Sequence, residues 1–443
     1  MADIAIHVTI TLKAPLLITA RQVGFVWESE SFIPGSVIRG SVAQILLANC
    51  DLNKEEPRAP ETMPGHRDRC DFHRLFYAEL PPRFGHAWPG LEPPIGVLPQ
   101  TAYTCKRYGG FRRNDTDDER HGVIDILISQ VLSEKAGRPL IPKCPIGEDQ
   151  KAEPFIGRVY AQRGDRYVSP KTLHRRLART AVSRARGVVA EGLLYTIEAL
   201  SEQMDRDELD RNGEPYPPAT STFHSVVWVE EAHEKKLRDA LHNVHHLGAA
   251  FSRGMGQVKI ETIRVKVSMP TEERIDRAAE TLSKGMRPND LAELLPKEAD
   301  WLERLLAFNS LWADEQKSAL NGWYFTLDLQ SDTLLYREDG PCYVLTPDQI
   351  GLQGNVELIR TFATHCQIGG WSSAWKMPKP IVPAVSAGSV FLYHVPGGDL
   401  SLTRIVLKQL AIIEREGVGQ RHEEGYGWLQ ICTAFHLETE VRR

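Results

Sequence analysis

Two glycine-rich stretches contain residue types that can bind a phosphate group. The first runs from Gly248 to Ile260 and has Ser252 and Arg253 beside its glycines. Glycine has no Cβ, so a phosphate can approach the backbone N–H groups closely, while a hydroxyl and a guanidinium add further donors. The sequence predicts an anion-binding loop with contacts from Ser252, Arg253, Gly254 and Gly256.

The second stretch, Gly419 to Ile431, repeats these glycines in the same register without a gap. Its candidate phosphate contacts are Arg421, Gly425 and Gly427. Glu423 and Glu424 make this copy less suited to an anion, because like charges repel. The alternative for both stretches is a tight helix-to-strand turn without a ligand, which a repeated module would need twice.

A run of cations without any acidic residue extends from Ser169 to Ala190. Cations at this density repel one another unless an anion neutralises them, and arginine binds phosphate whatever the base. The alternative is a solvated helix face. The run predicts a groove for RNA, with contacts from Lys171, His174, Arg175, Arg176, Arg179, Arg184 and Arg186.

The segment from Tyr103 to Arg113 interleaves aromatic residues with cations. Single-stranded RNA binding needs this combination, because bases stack on aromatic rings while cations hold phosphates. The candidate contacts are Lys106, Arg107, Tyr108 and Arg112, with Tyr103 and Phe111 as further rings. A mobile loop whose rings pack locally explains the pattern equally well.

Cysteines and histidines that could bind a metal are scattered through the first half. The candidate sets are Cys70 with His73 and His66, and Cys105 with His121 and Cys144. Tetrahedral zinc usually takes its ligands from close pairs such as Cys-x-x-Cys. The second set resembles a split zinc site, but Gly147 occupies the position expected for a partner of Cys144. The sequence therefore predicts no bound metal and no cofactor.

Composition places limits on compartment and partners. The 443 residues have a formal net charge of −5 and are 42% hydrophobic, which suits two or three globular domains. This charge gives no general attraction to nucleic acid, so RNA binding must come from local basic surfaces. Seven cysteines, an odd number, argue against a disulfide framework. The absence of a long apolar run and of a signal peptide predicts a cytoplasmic protein without membrane contact.

The elements that would position these residues recur in the same order in both halves. Each half contains a strand, a helix, a glycine loop and a second strand in that order. The first strands are at 222–229 and 389–395, and the helices are at 234–247 and 402–416. Each half also opens on an alternating strand, at 4–12 and at 323–329, and a helix at 35–48 follows the first.

The economical interpretation is an α+β chain of two tandem ferredoxin-like, RRM-related modules. The N-terminal module would span 1–265 and carry a loop-rich insertion at about 51–165, outside the core. A charged helical connector at 266–320 would precede the C-terminal module, 321–443. Core positions are the default assignment for Trp371, Trp375 and Phe391.

The chain resembles the RAMP superfamily of CRISPR-associated proteins in five stretches, which are SFIPGSVIRGSVAQ (31–44), LHRRLARTAVSRARGVVAEGLLYTIEAL (173–200), LGAAFSRGMGQV (247–258), SSAWKMPKPIVPAVSAGSVFLY (372–393) and EREGVGQRHEEGYGWLQICTAFH (414–436). Within that superfamily, the C-terminal half is similar to the double-module subunit of type III-D effector complexes. The resemblance covers both halves but does not explain the proline-rich insertion.

This resemblance implies RAMP modules that hold a guide RNA (crRNA) along a groove, near its repeat-derived 5′ tag and against the large polymerase-like subunit. RAMP backbone subunits would be further partners, and target RNA an indirect one. The helix at 35–48, through Ser36 and Arg39, and the loop Ser252–Gly254 would face the RNA backbone. The basic run from Arg175 to Arg186 would line the groove.

The sequence thus predicts a non-catalytic RNA-binding subunit with two alternatives. The first is an RNA endonuclease, since His174 could act as general base on a 2′-hydroxyl and Asp125 resembles the acid with which some type III backbone subunits cut target RNA. No second catalytic group is spaced to assist either residue, and a cap or turn role suits Asp125 better. The second alternative is a protein-interaction scaffold in which the glycine loops are only turns.

Overall fold

The computed structural model describes residues 3–50, 70–114, 119–147, 150–157, 159–163, 166–182, 189–209, 213–265, 269–287, 300–372 and 376–437. Within these residues the fold is mixed α/β, with several sheets, and strands and helices are numbered along the chain. The α-helices are α1 (Gly35–Ala48), α2 (Asp71–Phe76), α3 (Leu127–Lys135), α4 (Glu234–His242), α5 (Glu272–Ser283), α6 (Trp301–Gln316) and α7 (Leu400–Glu416). No helix among them has the length and apolar character to cross a membrane.

An antiparallel sheet organises the N-terminal half. Its strands are β1 (Asp3–Leu12), β4 (Arg83–Phe84), β5 (Trp88–Pro89), β15 (Thr222–Glu230) and β16 (Val258–Val265). Their order is β16-β1-β15-β4, with β5 also paired to β15. Alternate residues of β1, from Ile4 to Ile10, are buried beneath α1 and α4, whose Val42 and Leu241 belong to the same core. The period of two in β1 thus forms one half of a sheet–helix core.

Part of the segment expected to be loops outside the core contributes directly to this sheet. Phe84 of β4 pairs with Val227 and is fully buried, and Ala87 is buried beside it. The expectation for 51–165 is therefore wrong at these residues. Proline-rich stretches can supply short edge strands, because an edge strand leaves some N–H positions unused.

A second sheet contains the basic run. Its strands are β2 (Thr19–Val23), β3 (Val26–Ser29), β12 (Lys171–Val182), β13 (Val189–Asp205) and β14 (Ala219–Thr220). The order is β12-β13-β3-β2, with β14 paired to β13. The cations of 171–179 therefore lie on a long hairpin, and the alternative of a solvated helix face is wrong.

Two small three-stranded sheets lie between these elements in the chain. One contains β6 (Ile95–Val97), β10 (Val159–Arg163) and β11 (Arg166–Val168); the other contains β7 (Ala102–Cys105), β8 (Val123–Asp125) and β9 (Ala152–Pro154). Their shared apolar cluster is small and includes Phe111 and Phe435.

The C-terminal half has its own antiparallel sheet, in the order β26-β17-β25-β20. These strands are β17 (Trp323–Leu329), β20 (Glu357–Phe362), β25 (Val390–Val395) and β26 (Leu429–Ile431). Every residue of β17 is buried, since α5, α6 and α7 contribute to the core around it. Leu127 and Val131 of α3 also join this core, although α3 comes from the expected insertion.

Between β17 and β20 the described chain has no α-helix equivalent to α1. The pair β18 (Leu335–Arg337) and β19 (Gly340–Cys342) and a 3-10 turn at Pro347–Ile350 occupy this place. The remaining strands are β21 (His365–Ile368), β22 (Trp371–Ser372), β23 (Met377–Pro378) and β24 (Val382–Val385). Phe391 is buried as expected, whereas Trp371 is 60% exposed, contrary to its default core assignment, and Trp375 lies outside the described residues.

Candidate nucleic-acid interface

The two glycine stretches fold into the same turn. Each contains one 3-10 turn, Phe251–Arg253 in the first and His422–Glu424 in the second. In the first, Ala250 (φ 61°) and Gly254 (φ 78°) flank the turn in left-handed conformations. In the second, Arg421 (φ 62°) and Gly425 (φ 97°) do the same. The matching glycine positions of the two stretches therefore correspond to matching backbone conformations.

Close backbone approach explains part of the glycine pattern. A Cβ on Gly248 would lie 2.4 Å from the Leu17 carbonyl oxygen, and one on Gly419 would lie 2.4 Å from that of Leu334. Gly256 and Gly427 are equally crowded, each by a carbonyl oxygen of the preceding chain at 2.1 and 2.0 Å. The alternative of a tight turn without a ligand accounts for these four positions.

The turns differ in what covers them. The first, defined here as the open loop (Phe251–Gly254), is exposed along its whole length, and no atom lies within 4 Å of a Cβ placed on Gly254. The second, the closed loop (His422–Gly425), packs on the N-terminal half, where a Cβ on Gly425 would be 2.5 Å from the Phe84 carbonyl oxygen. Burial of Gly425 and Gly427 contradicts their predicted contact with RNA.

Charges in the closed loop are neutralised within the chain. Glu424 accepts hydrogen bonds from Lys379, at 2.8 Å, and from Arg421. Burial acts to raise the pKa of Glu424, but the Lys379 hydrogen bond and the Arg421 charge hold it below its usual value. Arg421 also lies over the Tyr426 ring, 5.1 Å from its centroid. Arg421, predicted to bind RNA, is therefore engaged by the protein itself.

The start of α1 forms the other side of this contact. The Gly35 N–H donates to His86 Nδ1 at 3.0 Å, and burial lowers the pKa of His86 to about 3, which keeps its imidazole a neutral acceptor. A Cβ on Gly35 would lie 2.7 Å from the Glu424 carbonyl oxygen. Ser36 is half-buried beside this junction, and Arg39 lies 5.0 Å from the Phe76 ring centroid. Helix α1 thus begins at the junction between the halves.

The open loop meets the basic hairpin. Arg253 Nη1 donates to the Tyr195 hydroxyl at 2.6 Å, and Tyr195 is the cross-strand partner of Arg179. Directly paired residues share one face of a sheet, so Arg179 and Arg253 lie on the same side of the hairpin. Beneath them, Ile197 and Met255 are buried in one apolar cluster. The structure therefore brings together two candidates that are 74 positions apart in the sequence.

Other cations of the hairpin have acidic partners. Arg176 pairs with Glu198 at 3.1 Å and Arg175 with Glu202 at 3.3 Å, both from β13. The argument that only an external anion could neutralise the run is wrong for these two arginines. His174 is exposed on the Arg176 side of β12, whereas Arg184 and Arg186 lie outside the described residues.

The aromatic–basic segment contributes to a neighbouring cleft. Lys106 and Lys171 line the same cavity of about 290 Å³, so this segment and the base of the hairpin meet. Tyr108 is half-buried and stacks on His121, while Arg107 lies over the Tyr108 ring. Arg112 is half-buried.

Phe111 is 1% exposed, so its predicted role in base stacking is wrong. It stacks instead on Tyr167, with 5.6 Å between ring centroids, and belongs to the apolar cluster of the small sheets. The local-packing alternative is therefore correct for this ring.

Comparison with known proteins gives one family match. Residues 294–433 match the model of the CRISPR-associated protein family Cas_Cmr3. The last third of the chain is thus similar to a CRISPR-associated family. No curated protein matches the chain.

Solved structures give more distant similarities. A chain of the type III-B Cmr-beta complex bound to cognate target RNA and AMPPnP is 11% identical, with 87% of this chain and 86% of that chain covered and a TM-score of 0.34. A chain of the same complex bound to cognate target RNA is 10% identical, with the same coverages and a TM-score of 0.35. A chain of a type IV-B CRISPR complex is 12% identical over 60% of this chain and 95% of that chain, with a TM-score of 0.28. At these scores the similarities carry no argument about function.

The acidic candidate for catalysis lies in a buried ion network. Asp125 Oδ2 is 2.6 Å from His436 Nδ1, and Asp328 Oδ1 is 3.0 Å from His436 Nε2. Burial alone would lower the pKa of His436, but the two carboxylates raise it to about 10. Asp125 also accepts from the Leu127 N–H at the start of α3, as a turn residue would. A carboxylate used in this way cannot reach an RNA substrate.

The two candidate metal sets differ. Cys70 precedes α2 and interacts with Cys50, and His73 lies within α2, but these residues form no group of three converging donors in the part of the chain that the structure describes; His66 lies outside that part. Cys105, His121 and Cys144 do converge, with their donor atoms all within 4.8 Å of one another. The sequence spacing does not predict this convergence, because it depends on how the chain folds between the three residues.

Proposed function

We propose that this chain is a non-catalytic, guide-RNA-binding subunit of a type III CRISPR effector ribonucleoprotein. The match of residues 294–433 to a CRISPR-associated family supports the assembly. The observation that supports RNA binding is the exposed basic surface where Arg253 of the open loop meets Tyr195 and Arg179 of the hairpin. No acidic partner of Arg179 or Arg253 is found among the described residues, which leaves both guanidiniums for phosphate.

The finer assignment is a double-module subunit of the type III-D kind in the cytoplasm. It would hold the repeat-derived 5′ tag of the guide RNA and dock the large polymerase-like subunit. Two tandem ferredoxin-like modules are part of this proposal. The two main antiparallel sheets have the strand orders β16-β1-β15-β4 and β26-β17-β25-β20. If the four strands of each sheet are numbered along the chain, both orders read 4-1-3-2, which is the order expected of a βαββαβ unit. As described, the second half has no counterpart of α1 between β17 and β20, and it is in this respect a variant.

Docking to neighbouring subunits would use an apolar surface on the C-terminal half. Trp371, Met377 and Ile381 are 60%, 49% and 71% exposed on and beside the β22–β23 pair. Exposed aromatic and aliphatic side chains grouped in this way are typical of protein interfaces.

The test is equilibrium binding of the full chain to single-stranded RNA that carries the repeat-derived 5′ end, at several salt concentrations. Each lost phosphate contact lowers the slope of log affinity against log salt by about 0.7 for a single strand. Combined Arg179→Ala and Arg253→Ala should weaken binding and reduce the slope by about 1.4. Arg277→Ala is the matched control, because Arg277 is an equally long, exposed cation on α5, 71% exposed, and remote in the chain from both loops.

Unchanged affinity and slope in the double variant would overturn the proposal and favour the scaffold alternative. The endonuclease alternative is separated by His174→Ala, since an enzyme that uses this imidazole would lose RNA cleavage while retaining RNA. A binding subunit shows no cleavage that His174→Ala can remove.

A further inference from the structure

Three metal-binding side chains meet beside the β7–β8–β9 sheet. Cys105 ends β7, His121 precedes β8, and Cys144 lies in the loop before β9. Their donor atoms lie within 4.8 Å of one another, and His121 Nδ1 is 3.0 Å from Cys144 Sγ. Three segments that are distant in sequence therefore present two thiols and an imidazole to one point.

The backbone around each thiol is folded as a thiolate ligand requires. The Tyr108 N–H points at Cys105 Sγ at 3.4 Å, and the Gly147 N–H points at Cys144 Sγ at 3.2 Å. In both turns the donor is the third residue after the cysteine. Backbone N–H groups stabilise negative charge on sulfur and fix its direction, whereas a neutral thiol is only a weak acceptor. Gly147, which the sequence pattern counted against a metal, is the donor in the second turn.

The position of these residues in the fold also favours a metal. Cys105 and Cys144 are 1% and 6% exposed, and the apolar cluster of the small sheets holds six buried residues in the described part of the chain. So small a cluster contributes little stability, and a metal that joins three segments would add to it. A disulfide between the two cysteines would leave the convergence of His121 unexplained.

We propose that Cys105, His121 and Cys144 bind one structural zinc ion. Two thiolates and an imidazole are the soft donors that zinc prefers in tetrahedral sites. A water molecule would complete the four ligands. The Cys105 thiol donates to Gln150 Oε1 at 2.9 Å, and zinc binding would release this proton.

Zinc at this site would also shape the basic segment that the cleft exposes. The His121 ring stacks on Tyr108, with 4.6 Å between centroids, and Arg107 lies over Tyr108. Fixing the imidazole therefore fixes the turn that carries Lys106 and Arg107. This inference is independent of the proposed function, because a structural metal needs no RNA.

The experiment measures metal bound to the full chain, purified without a histidine tag and freed of loosely held ions by gel filtration. Elemental analysis should find about one zinc per chain. Co²⁺ loaded in place of zinc should give a thiolate-to-cobalt charge-transfer band. Cys105→Ser and Cys144→Ser should lose both the metal and the band, and His121→Gln should weaken metal retention.

Cys342→Ser is the matched control, since Cys342 is a half-buried cysteine that accepts a hydrogen bond from Gln349 far from the site. It should retain the metal. Wild-type protein that binds neither zinc nor cobalt above background would overturn the proposal, as would equal metal retention in the Cys105→Ser and Cys144→Ser variants. The cobalt band of the wild type needs no variant, so it decides the question even if a variant fails to fold.

Discussion

The buried His436 network predicts a specific loss of stability as the pH rises. The pKa of His436 is about 10 in the folded chain, against 6.5 for a free imidazole. Between these values only the folded state binds the proton, so the free energy of unfolding falls by about 1.4 kcal/mol per pH unit. The stabilisation is fully present below pH 6.5 and is lost as the pH approaches 10.

Integrating this one site gives a loss of about 2.5 kcal/mol between about pH 7 and about pH 9. The reference is a triple variant with Asp125→Asn, Asp328→Asn and His436→Gln, which keeps the shapes of the three side chains and removes their charges. Urea unfolding followed by tryptophan fluorescence gives the free energy of unfolding of both proteins at each pH. The wild type minus the triple variant should decline by the amount calculated above.

His436→Gln alone should destabilise the chain by about 3–5 kcal/mol at neutral pH, because two buried carboxylates then lack their cation. A difference between wild type and triple variant that stays constant with pH would refute the reasoning. It would mean that His436 is neutral between the two carboxylates, and that the network is held by hydrogen bonds alone.

Further predictions concern packing and ion pairs. Gly425→Ala and Gly254→Ala both force alanine into a left-handed conformation, which costs about 1–2 kcal/mol of stability. Only Gly425→Ala also clashes with the Phe84 carbonyl, so the melting temperature of this variant should fall further, by the equivalent of about 1–3 kcal/mol. Equal falls would contradict the packing of the closed loop. Arg304→Met should lower the free energy of unfolding by about 1–3 kcal/mol, because it leaves the half-buried Glu414 carboxylate, 2.8 Å from Arg304, without its cation. A change below about 1 kcal/mol in urea unfolding would place this pair among exposed ion pairs instead.

Local patterns predicted the regular elements well. The helix predicted at 35–48 and the strand predicted at 323–329 have the bounds of α1 and β17. The helix predicted at 402–416 begins two residues earlier, where Asp399 caps it through a hydrogen bond to the Leu402 N–H. These elements have strong apolar periodicity and local start signals, which are encoded by neighbouring residues.

Contacts between distant segments were not predictable in this way. Nothing near Arg176 in the sequence indicates that Glu198 neutralises it, because the pairing depends on the register of a hairpin whose turn lies outside the described residues. The same reason applies to the junction of Asp125 with His436, 311 positions apart. The two glycine stretches likewise predict one shared turn. Their different surroundings are not predictable, because they depend on how the two halves pack together.

The closed loop also makes the contacts of the two halves unequal. Its contact joins a turn of the second half to the strand end and helix start of the first half. The equivalent turn of the first half, at Phe251–Gly254, is exposed and makes no such contact with the second half among the described residues. The described part of the second half has no helix equivalent to α1, so it cannot offer the turn of the first half the surface that α1 offers the closed loop. The two halves therefore cannot exchange roles, because one copy of the turn holds the halves together and the other faces outward.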